Sequence, residues 1–254
     1  MPGEIQAIPI KPVDLWVRRT TAEAIRDYGM IREGDRILVA VSGGKDSWSM
    51  AHLLSHFRRV SPVRFELAGV TIDLGLSESA REAIRATFDA MDMKHEVVAE
   101  AIPEIIASHN SPGKNPCAFC ARLRRGVLYS AARRLGCTTV ALGHHADDAV
   151  QTVLLSGFFE GKLCSMPPIF ETADHVRVIR PLIRVWEKDL VEYCRKLGIT
   201  PIACPADCSE RGSARIKVKE LLERIEATIP DARRMLLRSL HQVNPSHFLD
   251  KRWL

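Results

Sequence analysis

Short apolar runs alternate with longer amphipathic segments between residues 36 and 159, and this order predicts strands and helices in turn. Residues 36–41 read RILVAV, a run apolar enough for a strand that is buried on both faces. Further strands are predicted at residues 65–72, 95–98 and 139–142, and helices at residues 47–59, 78–93, 117–135 and 147–159. This β-α-β-α order predicts an α/β fold with a doubly wound, mostly parallel sheet that helices cover on both faces.

The pattern changes after residue 160. Pro167, Pro168 and the alternating Val176 and Val178 predict a hairpin at the edge of the sheet. Helices are predicted at residues 187–197 (ended by Gly198), at about 213–228, and again beyond Pro230. We therefore divide the chain into a helical lead-in, a central α/β domain and a basic helical region, at residues 1–35, 36–182 and 183–254.

The composition is typical of a folded globular protein. Of the 254 residues, 46% are hydrophobic and 26% are charged, which excludes a disordered chain, a collagen and a small disulfide scaffold. The longest purely aliphatic run, Ile37–Val41, is too short to span a bilayer. The chain begins MPGEIQAIPIK, without the basic and apolar regions of a secretory signal, so we expect a cytoplasmic protein with no membrane partner.

The net charge of +5 is unevenly distributed. Residues 177–254 hold 16 basic and 10 acidic side chains, whereas the two kinds nearly balance in residues 1–176. Such a basic region is typical of a protein with a polyanionic partner, because cations neutralise phosphates. A solvated helical surface with extra arginines would give the same charge, so both interpretations stay open.

The strongest motif is the hexapeptide SGGKDS at residues 42–47, between the first predicted strand and helix. Such a turn directs backbone N–H groups and a helix N-terminus at one point, where an anion is stabilised. Gly43 and Gly44 allow a phosphate to approach the backbone closely. The hydroxyls of Ser42 and Ser47 can donate hydrogen bonds to it. The segment therefore predicts a phosphate-binding loop.

Two charged residues refine this interpretation. Lys45 adds positive charge to the loop, whereas Asp46 fits an anion site only if a metal ion bridges it to the phosphates. The loop is not a Walker A motif, because Val39 and Asp46 stand where that motif needs Gly and Ser or Thr. SGGKDS after a first strand resembles the loop of the PP-loop ATP pyrophosphatases.

Two further polar segments follow predicted strands, where a parallel sheet opens its ligand crevice. Asp73 ends the second strand and either faces this crevice or caps a turn. LGHHADD at residues 142–148 links a strand to a helix, and Asp147 or Asp148 could cap that helix, bind Mg²⁺ or handle a proton. The candidate ligand contacts at this edge are Asp73, Gly143 and His144.

The cysteines suggest a metal centre rather than disulfides, because their count of seven is odd. Cys117 and Cys120 form a CxxC pair, and Cys204 and Cys208 form a second close pair. From the spacing alone, the four could hold zinc, with an iron–sulfur cluster as the alternative. A redox-active CxxC would need no further cysteine. The isolated cysteines, which we interpret as packing residues, are Cys137, Cys164 and Cys194.

Three arginines follow the CxxC pair, namely Arg122, Arg124 and Arg125. Cations at the start of a helix oppose its dipole unless an anion is near. RNA phosphate, a nucleotide or thiolate ligands could supply that anion, and simple solvation is the alternative.

These segments together resemble the TtcA family, the tRNA 2-thiocytidine synthetases of the PP-loop superfamily. They run in order through most of the chain and are more specific jointly than singly. The matching segments are EGDRILVAVSGGKDS (33–47), CAFCARLRRGVLY (117–129), ALGHHADDAVQT (141–152), GKLCSMPP (161–168), VIRPLIRVWEKD (178–189) and VNPSH (243–247).

The resemblance implies a PP-loop ATPase domain at residues 36–182, with a Rossmann-like fold of the adenine nucleotide alpha hydrolase type. It also implies an enzyme that uses ATP and Mg²⁺ to adenylate the C2 oxygen of a cytidine in the tRNA anticodon loop, after which sulfur displaces AMP. The implied ATP-binding residues are Ser42, Gly43, Gly44, Lys45, Asp46, Ser47, Asp73, Gly143 and His144, and the implied catalytic residues are Asp46, Arg124, Asp147 and Asp148.

Members of the family carry an oxygen-sensitive [4Fe–4S] cluster on three cysteines. On this resemblance Cys117 and Cys120 are two ligands, and we favour Cys208 over Cys204 as the third. The implied partners are tRNA, a sulfur donor such as a cysteine desulfurase, and a second copy of the chain in a homodimer. The implied tRNA-binding residues are Arg122, Arg125, Arg211, Arg215 and Lys217.

The third-cysteine region departs from the family. Residues 203–215 read ACPADCSERGSAR, where relatives have a sequence like PCxLCGSQ. A paralogue that thiolates another RNA position or a small molecule therefore stays open. A ligase like tRNA lysidine synthetase, which would leave the cysteines without a role, and a zinc-supported RNA-binding module are further alternatives.

Overall fold

Six strands form one sheet within the part of the chain that the computed structural model describes, residues 13–99, 105, 117–202 and 214–250. The strands are β1 (Asp35–Ala40), β2 (Phe65–Asp73), β3 (Lys94–Ala99), β4 (Thr139–Ala141), β5 (Ile169–Glu171) and β6 (Arg177–Ile179). Their order is β3-β2-β1-β4-β6-β5, with β5 antiparallel to β6 and every other pair parallel. The doubly wound parallel sheet and its edge hairpin are thus confirmed.

The helices lie close to the predicted segments. They are α1 (Val13–Asp27), α2 (Lys45–Val60), α3 (Glu78–Ala90), α4 (Cys117–Arg134), α5 (Ala146–Glu160), α6 (Glu187–Lys196), α7 (Ala214–Thr228) and α8 (Ala232–Ser239). Gly198, with φ of +67°, follows the end of α6, and the break between α7 and α8 contains Pro230, both as predicted. Within the described ranges, the helices are too short or too polar for any to cross a membrane.

Strand β1 separates two apolar cores, because successive side chains of a strand point to opposite faces. Val39 packs in a core with Trp48 and Leu53 of α2. Leu38 packs in the other core with Leu128 of α4. All five side chains are buried, so helices protect both faces of the strand that carries the phosphate loop.

The C-terminal helices attach to α5, because Val218 and Leu222 of α7 are buried against Val150. Helix α6 packs elsewhere: its Leu190 and Tyr193 belong to the same core as α2. The division of the chain into three parts stays a prediction.

One of the three isolated cysteines corrects a prediction. Cys137 and Cys194 are buried, as expected for packing residues. Cys164 is exposed instead, so its interpretation as a packing residue was wrong. It lies in the segment that follows Gly161, the left-handed end of α5, and its Sγ donates to the Ser156 hydroxyl at 3.2 Å. A chain that leaves a helix along the surface gives its side chains little to pack against.

The strand order reverses at β1, and this reversal positions the site. Strands β2 and β3 lie on one side of β1, whereas β4 and β6 lie on the other. The connections that leave β1 and β4 therefore diverge at the carboxyl edge and open a crevice, where ligands of such sheets bind. SGGKDS follows β1 and GHHADD follows β4, so both predicted loops border this crevice.

Gly69 gives the first testable prediction. It lies in β2, and a Cβ atom there would be 2.2 Å from Cε1 of the buried Phe88. We expect Gly69→Ala to lower the free energy of unfolding by about 1–3 kcal/mol, because the packed ring must move. In the matched control, Gly157→Ala on the open face of α5, the added methyl meets nothing within 4 Å.

Urea unfolding of both variants measures the difference. Gly157→Ala should raise the free energy of unfolding by about 0.5–1 kcal/mol, because alanine favours a helix. Equal stability of the Gly69→Ala variant and the unmodified protein would contradict the packing described.

Candidate active site

The phosphate loop folds back on itself between β1 and α2. The Ser42 amide donates to Oγ of Ser47 at 3.2 Å, and that hydroxyl donates to the Gly44 carbonyl at 2.8 Å. Gly43 has φ of +87°, which favours glycine, and its carbonyl accepts from the Ile202 amide at 2.9 Å. Ile202 therefore supports the loop from behind and helps to hold it in the binding conformation.

Helix α2 begins at this loop without a side-chain cap, because its N-cap residue is Gly44. The first amides of a helix have no partner within the helix, and they attract anions when no side chain caps them. This arrangement is what the sequence predicts for a phosphate site.

Lys45 is held by two carboxylates. Its Nζ lies 3.1 Å from Oδ2 of Asp46 and 3.0 Å from Oε1 of Glu187 at the start of α6. Burial alone would lower the pKa of Lys45, but the two carboxylates outweigh it and raise that pKa. Burial likewise opposes ionisation of Glu187, yet the hydrogen bond and charge of Lys45 lower its pKa to about 2. Both groups are charged at neutral pH, so a phosphate in this loop would compete with Glu187 for the ammonium group of Lys45.

Asp46 has one oxygen in need of a partner. Its Oδ1 is buried and accepts no hydrogen bond, whereas Oδ2 faces Lys45 and lies 3.8 Å from Nε2 of His145. Burial raises the pKa of Asp46, and the nearby charges of His145 and Lys45 offset this only in part.

This arrangement fits a magnesium ion. Mg²⁺ is usually held by one or two carboxylates together with substrate phosphates and water, so one free carboxylate oxygen beside a phosphate loop suits it. The described residues contain no group of three or more His, Cys, Asp or Glu side chains arranged as a metal cage.

Asp147 is buried beneath the crevice and fully hydrogen-bonded. Its Oδ2 accepts from the Glu187 amide at 2.8 Å, which satisfies the start of α6. Its Oδ1 lies 2.8 Å from Nη1 of Arg233 in α8. The side chains of Asp147 and Arg233 are 5% and 16% exposed, so this is a buried ion pair.

Asp148 has the same kind of environment. Its Oδ2 accepts from the His145 amide at 3.0 Å, and its Oδ1 lies 2.8 Å from Nη1 of Arg215 in α7. Burial would raise the pKa of Asp148, but the charge and amide of His145 outweigh it and lower that pKa. Each acidic residue thus caps a helix and binds an arginine from the C-terminal region. Their catalytic roles stay a prediction.

Gly143 brings the two loops into contact. A Cβ atom at this position would lie 3.2 Å from both Cα and N of Ser47. The backbone after β4 therefore rests directly on the first turn of α2. A larger residue would separate the two loops.

Asp73 makes contacts within its own turn. Its Oδ1 accepts from the amides of Gly75 and Leu76 at 2.9 and 2.7 Å, and its Oδ2 lies 2.7 Å from Nη2 of Arg81. Although burial opposes it, these hydrogen bonds and the charge of Arg81 lower the pKa of Asp73. The turn-capping alternative describes these contacts, and the role of Asp73 in ATP binding stays a prediction.

His144 is joined to a buried arginine. Nε of Arg180, the residue after β6, donates to Nδ1 of His144 at 3.3 Å. Nη1 of Arg180 donates to the Pro167 carbonyl at 2.5 Å, and the guanidinium lies 5.1 Å from the centre of the Phe170 ring. Burial and the charge of Arg180 lower the pKa of His144 to about 4. His144 is therefore neutral at pH 7.

The predicted cluster and tRNA residues are only partly described. Cys120 is half-buried on α4, the side chain of Cys117 is not described, and Cys204, Cys208 and Arg211 lie outside the described residues. Arg124 is half-buried on α4, in the turn that follows Cys120. The exposed members of the predicted tRNA-binding set are Arg122, Arg125 and Lys217, whereas Arg215 binds Asp148.

Sequence reasoning did not identify three residues of this site: Arg180, Glu187 and Arg233. Arg180 and Glu187 lie in the segment 178–189 that resembles the TtcA family, so the sequence identified the segment but not the roles of these two residues. Nothing in the local pattern around Arg233 indicates its contact with Asp147.

The Arg233–Asp147 pair gives a prediction about the C-terminal helices. We expect Arg233→Ala to lower the free energy of unfolding by about 3 kcal/mol, because it leaves a buried carboxylate without its charge partner. The control is Arg234→Ala, which removes only a surface pair with Asp231 and should change stability little. Denaturant unfolding compares the variants, and hydrogen exchange in α8 reports detachment. Similar losses in both variants would show that the pair does not hold α8.

Comparisons with known proteins agree with this geometry. The PP-loop domain family matches residues 15–211. The chain is 40% identical over 238 residues to a tRNA-cytidine(32) 2-sulfurtransferase of Geobacter metallireducens, with 92% of each chain covered. It is 39% identical to the protein of that name from Anaeromyxobacter dehalogenans, covering 92% of this chain and 81% of the relative.

Solved structures share the fold at lower identity. The U34-tRNA thiolase NcsA from Methanococcus maripaludis, with its [4Fe-4S] cluster, superimposes with a TM-score of 0.70 at 20% identity, over 91% of this chain and 79% of that one. NMN synthetase from Francisella tularensis gives 0.52 at 16% identity, over 93% and 94%. With the family match and the 40% identity of its relatives, the chain belongs to the PP-loop family and, within it, to the TtcA family whose motifs it carries.

Proposed function

We propose that this protein is an ATP-dependent tRNA sulfurtransferase that replaces the 2-oxygen of a cytidine at position 32 of the anticodon loop with sulfur. The main support is an intact SGGKDS loop that contacts the GHHADD turn where the strand order of the sheet reverses. The relatives that are 40% identical over 92% of the chain bear the name of this activity.

The first half of the reaction is adenylation. The loop amides and Lys45 bind the triphosphate, and Glu187 releases Lys45 as the phosphates arrive. The cytidine O2 attacks the α-phosphorus, an O–P bond forms, and the bond to pyrophosphate breaks. Asp46 would hold Mg²⁺, which when bound neutralises charge on the departing pyrophosphate. The reaction makes the C2 oxygen part of a good leaving group.

The second half is substitution at C2. Sulfur forms a bond to C2, and the C2–O bond breaks to release AMP. Cys117, Cys120 and Cys208 would hold the [4Fe–4S] cluster, with Cys204 the alternative to Cys208. Thiolates are the usual ligands of such clusters, and the half-buried Cys120 on the first turn of α4 fits this role. The cluster, when bound, supplies sulfur next to the activated carbon. Arg124, one turn beyond Cys120, is the residue we assign between cluster and nucleotide.

The partners follow from this reaction. We assign tRNA contacts to Arg122 and Arg125 of α4 and to Lys217 of α7, which are exposed, together with Arg211 and Arg215. A target base turned out of its stack would reach the crevice. A cysteine desulfurase as the sulfur source, a homodimer and a cytoplasmic location with the tRNA substrate complete the proposal.

Lys45 tests the nucleotide half of the proposal. We expect Lys45→Ala to reduce ATP–pyrophosphate exchange in the presence of tRNA by about 100-fold or more, because a charge contact to the reacting phosphates is lost. Lys188→Ala is the matched control, since Lys188 is exposed one residue beyond Glu187. Exchange that persists in Lys45→Ala would contradict the assignment of the loop.

Metal content tests the cluster. Protein purified without oxygen should hold about four iron and four sulfide per chain, and its tRNA partner should gain 2-thiocytidine. Cys120→Ala should lose iron, whereas Cys164→Ala, which alters an exposed cysteine, should keep it.

Three outcomes decide between the alternatives. Loss of iron in Cys204→Ala with retention in Cys208→Ala would identify Cys204, rather than Cys208, as the third ligand. Stoichiometric zinc without iron, even after reconstitution, would reject the cluster mechanism in favour of a zinc-supported PP-loop protein. Thiolation of another position or of a small molecule would place the chain among paralogues of different substrate.

A further inference from the structure

Arg180, which contacts His144 of the GHHADD turn, is a buried cation. It is 8% exposed, and its neighbours are an imidazole, a carbonyl and an aromatic ring. None of the carboxylates in the described ranges forms an ion pair with it. Two other arginines with little exposure in the described part of the chain are neutralised, Arg177 by Asp35 and Arg233 by Asp147.

Burying such a charge costs free energy of folding unless an anion binds next to it. Removing a cation from water without a counter-ion opposes folding, and burial lowers the pKa of Arg180. The carbonyl of Pro167 and the ring of Phe170 recover part of this cost as neutral partners. An anion that binds next to the guanidinium would offset the remaining cost of burying its charge.

Arg180 also determines which nitrogen of His144 carries the hydrogen. A guanidinium can only donate, so Nδ1 of His144 accepts and the neutral ring carries its hydrogen on Nε2. Nε2 of His144 and Nη2 of Arg180 have no hydrogen-bond partner among the described residues, and neither is an enclosed atom. Two N–H donors are therefore available to a ligand.

The position of these donors favours the second substrate over the triphosphate. His144 follows β4, which adjoins β1, and Arg180 follows β6, one strand further from the phosphate loop. With strands about 4.8 Å apart, Arg180 lies about 10 Å along the edge from that loop. Tyr129 and Arg125 of α4, the helix with the CxxC pair, act electrostatically on Arg180, as does the carboxylate of Asp148.

We propose that Arg180 and His144 form a subsite for a phosphate oxygen of a reacting nucleotide, namely the phosphodiester at the target base of the RNA. Arg180 supplies the charge and positions His144, whose Nε2–H supplies a second hydrogen bond. The subsite rests on the proposed function, because that function brings an RNA to this edge. The α-phosphate of ATP has the same chemistry and is the other source to be tested.

Binding measurements on the intact protein, with its cluster if it holds one, test the subsite. The probes are a tRNA anticodon stem-loop and, separately, a non-hydrolysable ATP analogue. We expect Arg180→Met to weaken RNA binding about ten- to hundredfold, because a charge-assisted hydrogen bond is lost. The slope of log affinity against log salt should become shallower by about one phosphate contact. Arg180→Lys should restore part of the affinity.

The His144 variants separate the two donors. His144→Gln can still donate near the position of Nε2 and should bind RNA within a few-fold of the unmodified protein, whereas His144→Ala should bind less well. Arg133→Ala, which removes an exposed ion pair with Asp174 and a hydrogen bond to the Ser130 hydroxyl, is the matched control and should change neither affinity nor salt slope.

The outcomes are distinguishable from failure of the proposed function. Weaker binding of the ATP analogue with unchanged RNA binding would assign the subsite to the α-phosphate. Unchanged binding of both probes in Arg180→Met and Arg180→Lys would overturn the subsite. Stability adds an independent readout: Arg180→Met should be as stable as the unmodified protein or more so, whereas a purely structural arginine would destabilise when replaced. None of these measurements requires turnover, so an absence of thiolation would reject the function without deciding the subsite.

Discussion

The reversal of strand order between β1 and β4 is the constraint on which the site depends. Because the connections leave these neighbouring strands in opposite directions, no helix among the described residues connects β1 with β4 across the edge between them. The phosphate loop and the GHHADD turn border this opening, and the segment after β6 extends it. A sheet wound in one direction only would have covered the same residues with a crossover helix.

The C-terminal helices contribute side chains that pair with the acidic residues of this site. Arg215 and Arg233 reach Asp148 and Asp147, so part of the positive charge of this region is used within the molecule. Asp147 also satisfies the first amide of α6, whose Glu187 holds Lys45. A chain of contacts thus connects the C-terminal region with the phosphate loop. A ligand on the exposed part of α7 would therefore lie on a helix that Arg215 joins to Asp148.

Much of the fold could be predicted from the sequence, because it depends on local periodicity. In the buried strand at residues 36–41 and the amphipathic helices around it, the apolar residues recur at the spacings that a strand and a helix require. The phosphate loop was also predictable, since its chemistry lies in six consecutive residues. In contrast, Cys164 was predicted to be a packing residue, because the pattern of an irregular segment does not show which of its side chains face solvent.

Long-range pairs could not be predicted in this way. The contacts of Lys45 with Glu187 and of Asp147 with Arg233 join residues 142 and 86 positions apart. Such contacts depend on how helices pack, which periodicity does not specify. The acidic pair illustrates the effect: the sequence identified Asp147 and Asp148, but their arginine partners emerge only from the docking of α7 and α8.

The close approach of Gly143 to Ser47 has a mechanical consequence. With no side chain between them, the backbone after β4 and the first turn of α2 are packed too closely to approach each other further. Any shift of the phosphate loop toward a ligand would therefore displace the turn that carries His144. If the proposed function holds, the sites for the two substrates would thus be coupled through the backbone rather than through side chains.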